Sequence, residues 1–214
     1  QYLLTSGTLS LTSTRGNITA GRPLGVRFED GTALPLGGLS VSAALGTANL
    51  GSGLYVNGNA TLGAGNLQLG DTIATGLLQV AGGSNFTLLG NAQVGGLRAG
   101  TDAGPLASFS MAGAADARGP QIDAGSQGVA VTANVVGALR GIRSAAGIGL
   151  DARGGDLTLA RMESTGAGLV DVRSTGSIDL PANADIVSYG GTVALRAGTG
   201  HLETLGTIAV NSAA

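Results

Sequence analysis

Apolar and small polar residues alternate along this chain in short runs, and each run stops at Gly, Asn or Ser. Leu9-Ser10-Leu11, Leu39-Ser40-Val41, Asn66-Leu67-Gln68-Leu69, Asp156-Leu157-Thr158-Leu159 and Ser177-Ile178-Asp179-Leu180 are examples. A period of two over a few residues predicts a strand, and the small residues between runs predict turns. No segment carries an apolar stripe of useful length at three-and-four spacing. The Ala-rich stretch 111–117 lacks one, so no helix is expected.

The runs are themselves periodic. Residues 147–167, 168–191 and 192–214 align when written beneath one another. Ile148-Gly149-Leu150 falls over Val170-Asp171-Val172 and Val193-Ala194-Leu195. Leu157-Thr158-Leu159 falls over Ile178-Asp179-Leu180 and Leu202-Glu203-Thr204, and a third column holds Met162, Ile186-Val187 and Ile208-Ala209-Val210. The same unit recurs less cleanly at 39–58, 60–76, 77–96 and 128–147. Three short strands in about 20 to 24 residues, repeated, predict a solenoid whose units need their neighbours to bury an apolar side. The expected fold is therefore all-β: a right-handed parallel β-helix spanning 1–214 as a single segment. About ten coils at the strand spacing of about 4.8 Å would make a rod roughly 50 Å long.

Composition agrees with that geometry. The chain of 214 residues holds 40 glycines, expected at the corners, where positive φ is reached without a Cβ clash. Aromatic residues are only 3 % because the predicted interior is narrow. Charged residues are only 11 %, since stacked like charges repel. Two stretches depart from the period. Residues 21–38 contain Pro23 and Pro35 with Arg22, Arg27, Glu29 and Asp30. Residues 95–126 contain Pro105, Pro120, Asp102, Asp116, Arg118 and Asp123. Excursions from a solenoid are held at defined heights and commonly carry specificity. Arg27, Glu29, Asp30, Asp116 and Arg118 are thus candidate surface contacts. Six charged residues lie before Arg98 and eighteen from Arg98 onward, which makes the N-terminal half the more neutral part.

Other chemistry is excluded more readily than found. Net charge is -2, pI is about 5.2, and every basic residue is arginine, so nucleic acid is not an expected partner. Without cysteine there is no disulfide framework or thiolate metal site. Mean hydropathy is +0.32 and 31–70 holds no charged residue, yet Gly, Ser, Asn and Gln interrupt it throughout and no stretch approaches the roughly 18 to 20 apolar residues of a membrane span. A soluble chain with no transmembrane segment is expected. Gln1 begins without a basic segment and apolar core, which predicts a fragment or a processed chain.

The stretches GGDLTLARMESTG, GSIDLPANADIVSYGG and GHLETLGTIAVNS resemble the filamentous haemagglutinin family, the large exoproteins of bacterial two-partner secretion. The likeness is to a repeat style, xLxLxxxGxIxxxG, over 39–96 and 128–214. It implies a secreted or bacterial cell-surface rod, with a host-cell or bacterial surface receptor or glycan as partner. It also implies an outer-membrane two-partner secretion transporter for the full-length protein. NPNL and NPNG, which mark that family's secretion domain, do not occur here, so the resemblance implies an internal piece of the rod.

Two outward columns bear on chemistry. Asp151, Arg173 and Arg196 share one, and Asp151 is expected to pair with Arg173. Thr158, Asp179 and Glu203 share another, with Asp156, Ser177 and His201 two residues earlier, which should gather Asp179, His201 and Glu203 within about 5 to 7 Å. Close carboxylates raise one another's pKa and serve glycoside hydrolases and lyases. With no aromatic platform beside them and no lysine to act as base, solvated decoration is the expected role. The sequence predicts a structural and adhesive rod segment, not an enzyme, with no cofactor, no metal and open coil ends prone to end-to-end self-association. The alternatives are a polysaccharide-active β-helix enzyme and the stalk of a contact-dependent toxin-delivery protein.

Overall fold

In a run such as Ile148-Gly149-Leu150 every second side chain points toward a common axis, and only stacking can take it out of water. The computed structural model, which describes residues 6–27, 33–112 and 120–211, resolves this into a parallel β-solenoid with no helix among the described residues. The chain visits three faces in turn. The first is a ladder of nine rungs: Thr8–Thr12, 38–43, 60–64, 77–80, 96–99, 129–133, Ile148–Ala152, Val170–Ser174 and Val193–Ala197. Nine rungs enclose about eight turns, not ten, and measure about 38 Å at the ladder spacing.

The coil length explains the difference. Leu39 pairs with Ala60, Ala60 with Leu78 and Leu78 with Leu97, spacings of 21, 18 and 19 residues. Val129, Ile148, Val170 and Val193 follow at 19, 22 and 23. Two coils are longer: Leu9 pairs with Leu39, 30 residues on, and Leu97 with Val129, 32 residues on. These contain the two irregular stretches.

Neither stretch leaves the solenoid for its whole length. In the first, Val26–Arg27 and Ala33–Leu34 form an antiparallel ladder, while Leu24 and Leu36 on either side bridge in parallel to Leu54 and Val56. The hairpin is thus inserted into one strand of the third face. In the second, Ala92–Ala99, Leu106–Met111 and Ile122–Ala124 all occupy regular rungs, so the added residues fall in 100–105 and 112–121. The 100–104 turn is held by Arg153, which donates to the Asp102 carbonyl at 2.8 Å and its carboxylate at 2.6 Å.

Strands are not always short. Gly38–Leu50, Ala60–Leu69 and Val129–Val136 run from the first face round the corner into the second, and Thr72–Val80 and Ala92–Ala99 run from the third into the first. The second face changes after 136. Its last three rungs, Leu157–Thr158, Ile178–Leu180 and Leu202–Thr204, form a ladder of their own.

Inside, the inward columns make one continuous core. Phe86 and Phe109 stack on successive rungs with centroids 5.5 Å apart, both fully buried. One inward column is polar: Ser144, Ser164 and Ser188 stack on the third face and are completely buried. Ser164 Oγ donates to the Ala146 carbonyl and Ser144 Oγ accepts from the Ala146 amide, so corner backbone groups satisfy these two hydroxyls, while Ser188 Oγ is buried without a hydrogen-bond partner.

Glycine serves a different purpose from the one its count suggests. Some corners use positive φ, as at Gly128 (φ 71), but most glycines have ordinary φ. A Cβ at Gly70 would collide with the Gly51 backbone one coil below. The corner carbonyls point along the rod, and at ladder spacing only a bare Cα fits over them.

Candidate functional site

Charge is distributed by coil. The outward side of the second face of the early coils is a ladder of uncharged groups: Thr47, Asn66, Asn85 and Ser108 share a column, in which Asn85 donates to Asn66 Oδ1 and Ser108 to Asn85 Oδ1. From Asp123 onward the outward columns carry ion pairs. Asp123 and Arg143 oppose each other on the third face with Nη2 to Oδ2 at 2.5 Å, and this hydrogen bond, then the charge, raises the Arg143 pKa. A shallow open groove of roughly 490 Å³ lies beside them, lined also by Gln93, Gly125 and Thr165. Ile122-Asp123-Ala124 and Ile142-Arg143-Ser144 carry the only sequence signal for this pair, the shared alternation that places both in one column.

The first-face column holds as expected: Asp151, Arg173 and Arg196 are in register. The expected partners do not. Arg153 takes Asp151 at 2.9 Å, while Arg173 takes Asp171 at 2.8 Å and Arg196 takes Asp171 as well. An arginine reaches a carboxylate two residues back on its own strand as readily as one on the next rung, and Asp171 offers two oxygens to two guanidinium groups.

Asp179, His201 and Glu203 do come together. Asp179 lies on Ile178–Leu180 and Glu203 directly over it on Leu202–Thr204; His201 precedes that strand and stands over Ser177. His201 Nε2 is 3.5 Å from Asp179 Oδ1 and 3.8 Å from Glu203 Oε2, and one ligand atom from each residue fits within 4.8 Å of the others. This is tighter than the expected spacing. Ser177 Oγ contacts Nδ1 at 3.2 Å, which orients the ring from behind. Asp156 stays apart, spending Oδ1 on the Ser177 amide at 2.7 Å. The group sits on an open face, with side chains 40 % exposed at Asp179, 54 % at Glu203 and 68 % at His201. Chemically it offers an imidazole and two carboxylates to a cation or a proton.

Of the five candidate contact residues, Arg27 lies in the inserted hairpin, in the strand opposite Ala33–Leu34. Glu29, Asp30, Asp116 and Arg118 lie outside the described residues. The segments that bear them are anchored similarly. Leu24 and Leu36 hold the first within the third-face strand of its coil, and Gln121 holds the second just ahead of the third-face strand Ile122–Ala124, donating to the Leu88 and Gly90 carbonyls. The anchors of both segments therefore lie in or beside the third face, four rungs apart. No helix among the described residues is long and apolar enough to cross a membrane. No family model matches the sequence, and no curated protein or solved structure matches it either.

Proposed function

We propose that this chain is a rod segment of a secreted or surface-exposed bacterial exoprotein of the filamentous haemagglutinin type, working by display and not by catalysis. The observation that carries this reading is the unbroken first-face ladder, which makes a stiff parallel β-solenoid whose two longer coils are anchored at fixed heights. A host-cell or bacterial surface receptor or glycan is the partner in this reading, and the full-length protein reaches the surface through a two-partner secretion transporter.

Binding of fluorescently labelled protein to host and bacterial cells tests the proposal. Saturable binding is expected, with loss of binding when 25–35 and 113–119 are replaced by short turns and circular dichroism stays unchanged. Binding that survives both replacements, or none to any cell type, overturns it. Release of reducing ends from a polysaccharide would replace it with the enzymatic reading.

A further inference from the structure

We propose that Asp179, His201 and Glu203 bind one borderline divalent cation of the zinc type, and that the ion staples the coil 193–211 to the coil beneath it. The donor set is one imidazole nitrogen and two carboxylate oxygens, which suits Zn²⁺ better than the all-oxygen sites of Ca²⁺ or Mg²⁺. Ligands at about 2.0–2.2 Å from a metal stand roughly 3.0–3.5 Å from one another. Two of the separations here, 3.5 and 3.8 Å, are close to that already, and the exposed Glu203 side chain rotates to close the third.

Two features of the group favour an ion there. Asp179 Oδ1 is shut off from solvent although its side chain is only part-buried, and it accepts no hydrogen bond. That oxygen faces His201 Nε2 at 3.5 Å with no hydrogen bond between them, and a cation held between the two would satisfy both. Behind the ring, Ser177 Oγ accepts from Nδ1–H in the tautomer that leaves the Nε2 lone pair facing both carboxylates, the outer contact that fixes metal-binding histidines. Three protein ligands leave the remaining positions to water.

The consequence is mechanical. Asp179 belongs to one rung and His201 and Glu203 to the next, so the ion ties down a coil whose inward Leu202, Ile208 and Val210 are about half exposed. Binding energy is then available only when that coil is folded onto its neighbour.

The chain has a single histidine, which makes the test direct. Untagged, metal-stripped protein is titrated with ZnCl₂ while the imidazole is followed by NMR and amide exchange is measured over 202–211. One equivalent of Zn²⁺ is expected to move the His201 ring resonances and to slow exchange in that coil, whereas Ca²⁺ and Mg²⁺ at the same concentration do neither. His201→Ala abolishes both effects. Ser177→Ala weakens binding by about 10- to 100-fold, and Asp179→Asn and Glu203→Gln weaken it by more. Ring resonances that Zn²⁺ leaves unmoved overturn the proposal, as does protection that persists in His201→Ala or an equal response to Ca²⁺.

Discussion

Ile186 and Ile208 occupy one inward column on successive rungs, as do Ile178 and Leu202. The lower member of each pair is fully buried, while Ile208 is 41 % and Leu202 48 % exposed. Column and direction are the same within each pair, and for Ile186 and Ile208 so is the side chain; the number of covering coils differs. Burial in this fold is therefore a property of interfaces between coils and not of a coil by itself. Complete burial of such a side chain contributes about 1.5–3 kcal/mol, and the last coil realises only part of it.

Truncation of matched residues sharpens that contrast. Phe86→Ala, in the doubly covered interior against Phe109, is expected to lower the unfolding free energy by about 3–5 kcal/mol in urea. A loss below about 1 kcal/mol would break the idea that coils cooperate. Gly70→Ala tests the corners, because its methyl has only the Gly51 backbone to displace; a destabilisation of about 1–3 kcal/mol is expected in the same assay. The last coil should respond least. Leu202→Ala and Arg196→Ala are each expected to change stability by no more than about 1 kcal/mol, the second effect shrinking further in high salt. A loss at Leu202 equal to that at Phe86 would show that the last coil is covered in solution.

How much of this was legible depends on what each feature rests upon. Period two and period 20–24 rest on burial, and the columns read from 147–214 match the observed register residue by residue, including Leu157 over Ile178 and Leu202. The Asp179, His201 and Glu203 group followed from those columns, because neighbouring rungs leave side chains little choice of height. The buried Ser144, Ser164 and Ser188 also follow the period, two positions after Ile142, Met162 and Ile186, but the sequence does not show the corner backbone groups that Ser144 and Ser164 bond. Arginine partners were not legible. Arg173 lies within reach of carboxylates on two rungs, and local rotamers decide between them. Nor was the glycine role, since a carbonyl one coil below lies some twenty residues away in the chain.

The hydrogen bonds between rungs run along the rod, and this sets how the molecule answers a pull on its ends. Tension along that axis passes through every rung in series, but at the outermost rung it enters through one chain end and loads a few bonds at a time, so the rod gives way coil by coil. Each step frees 18 to 23 residues through most of its length, or roughly 60 to 80 Å of contour. A tether built this way yields in small increments under drag and re-forms from the coil still standing.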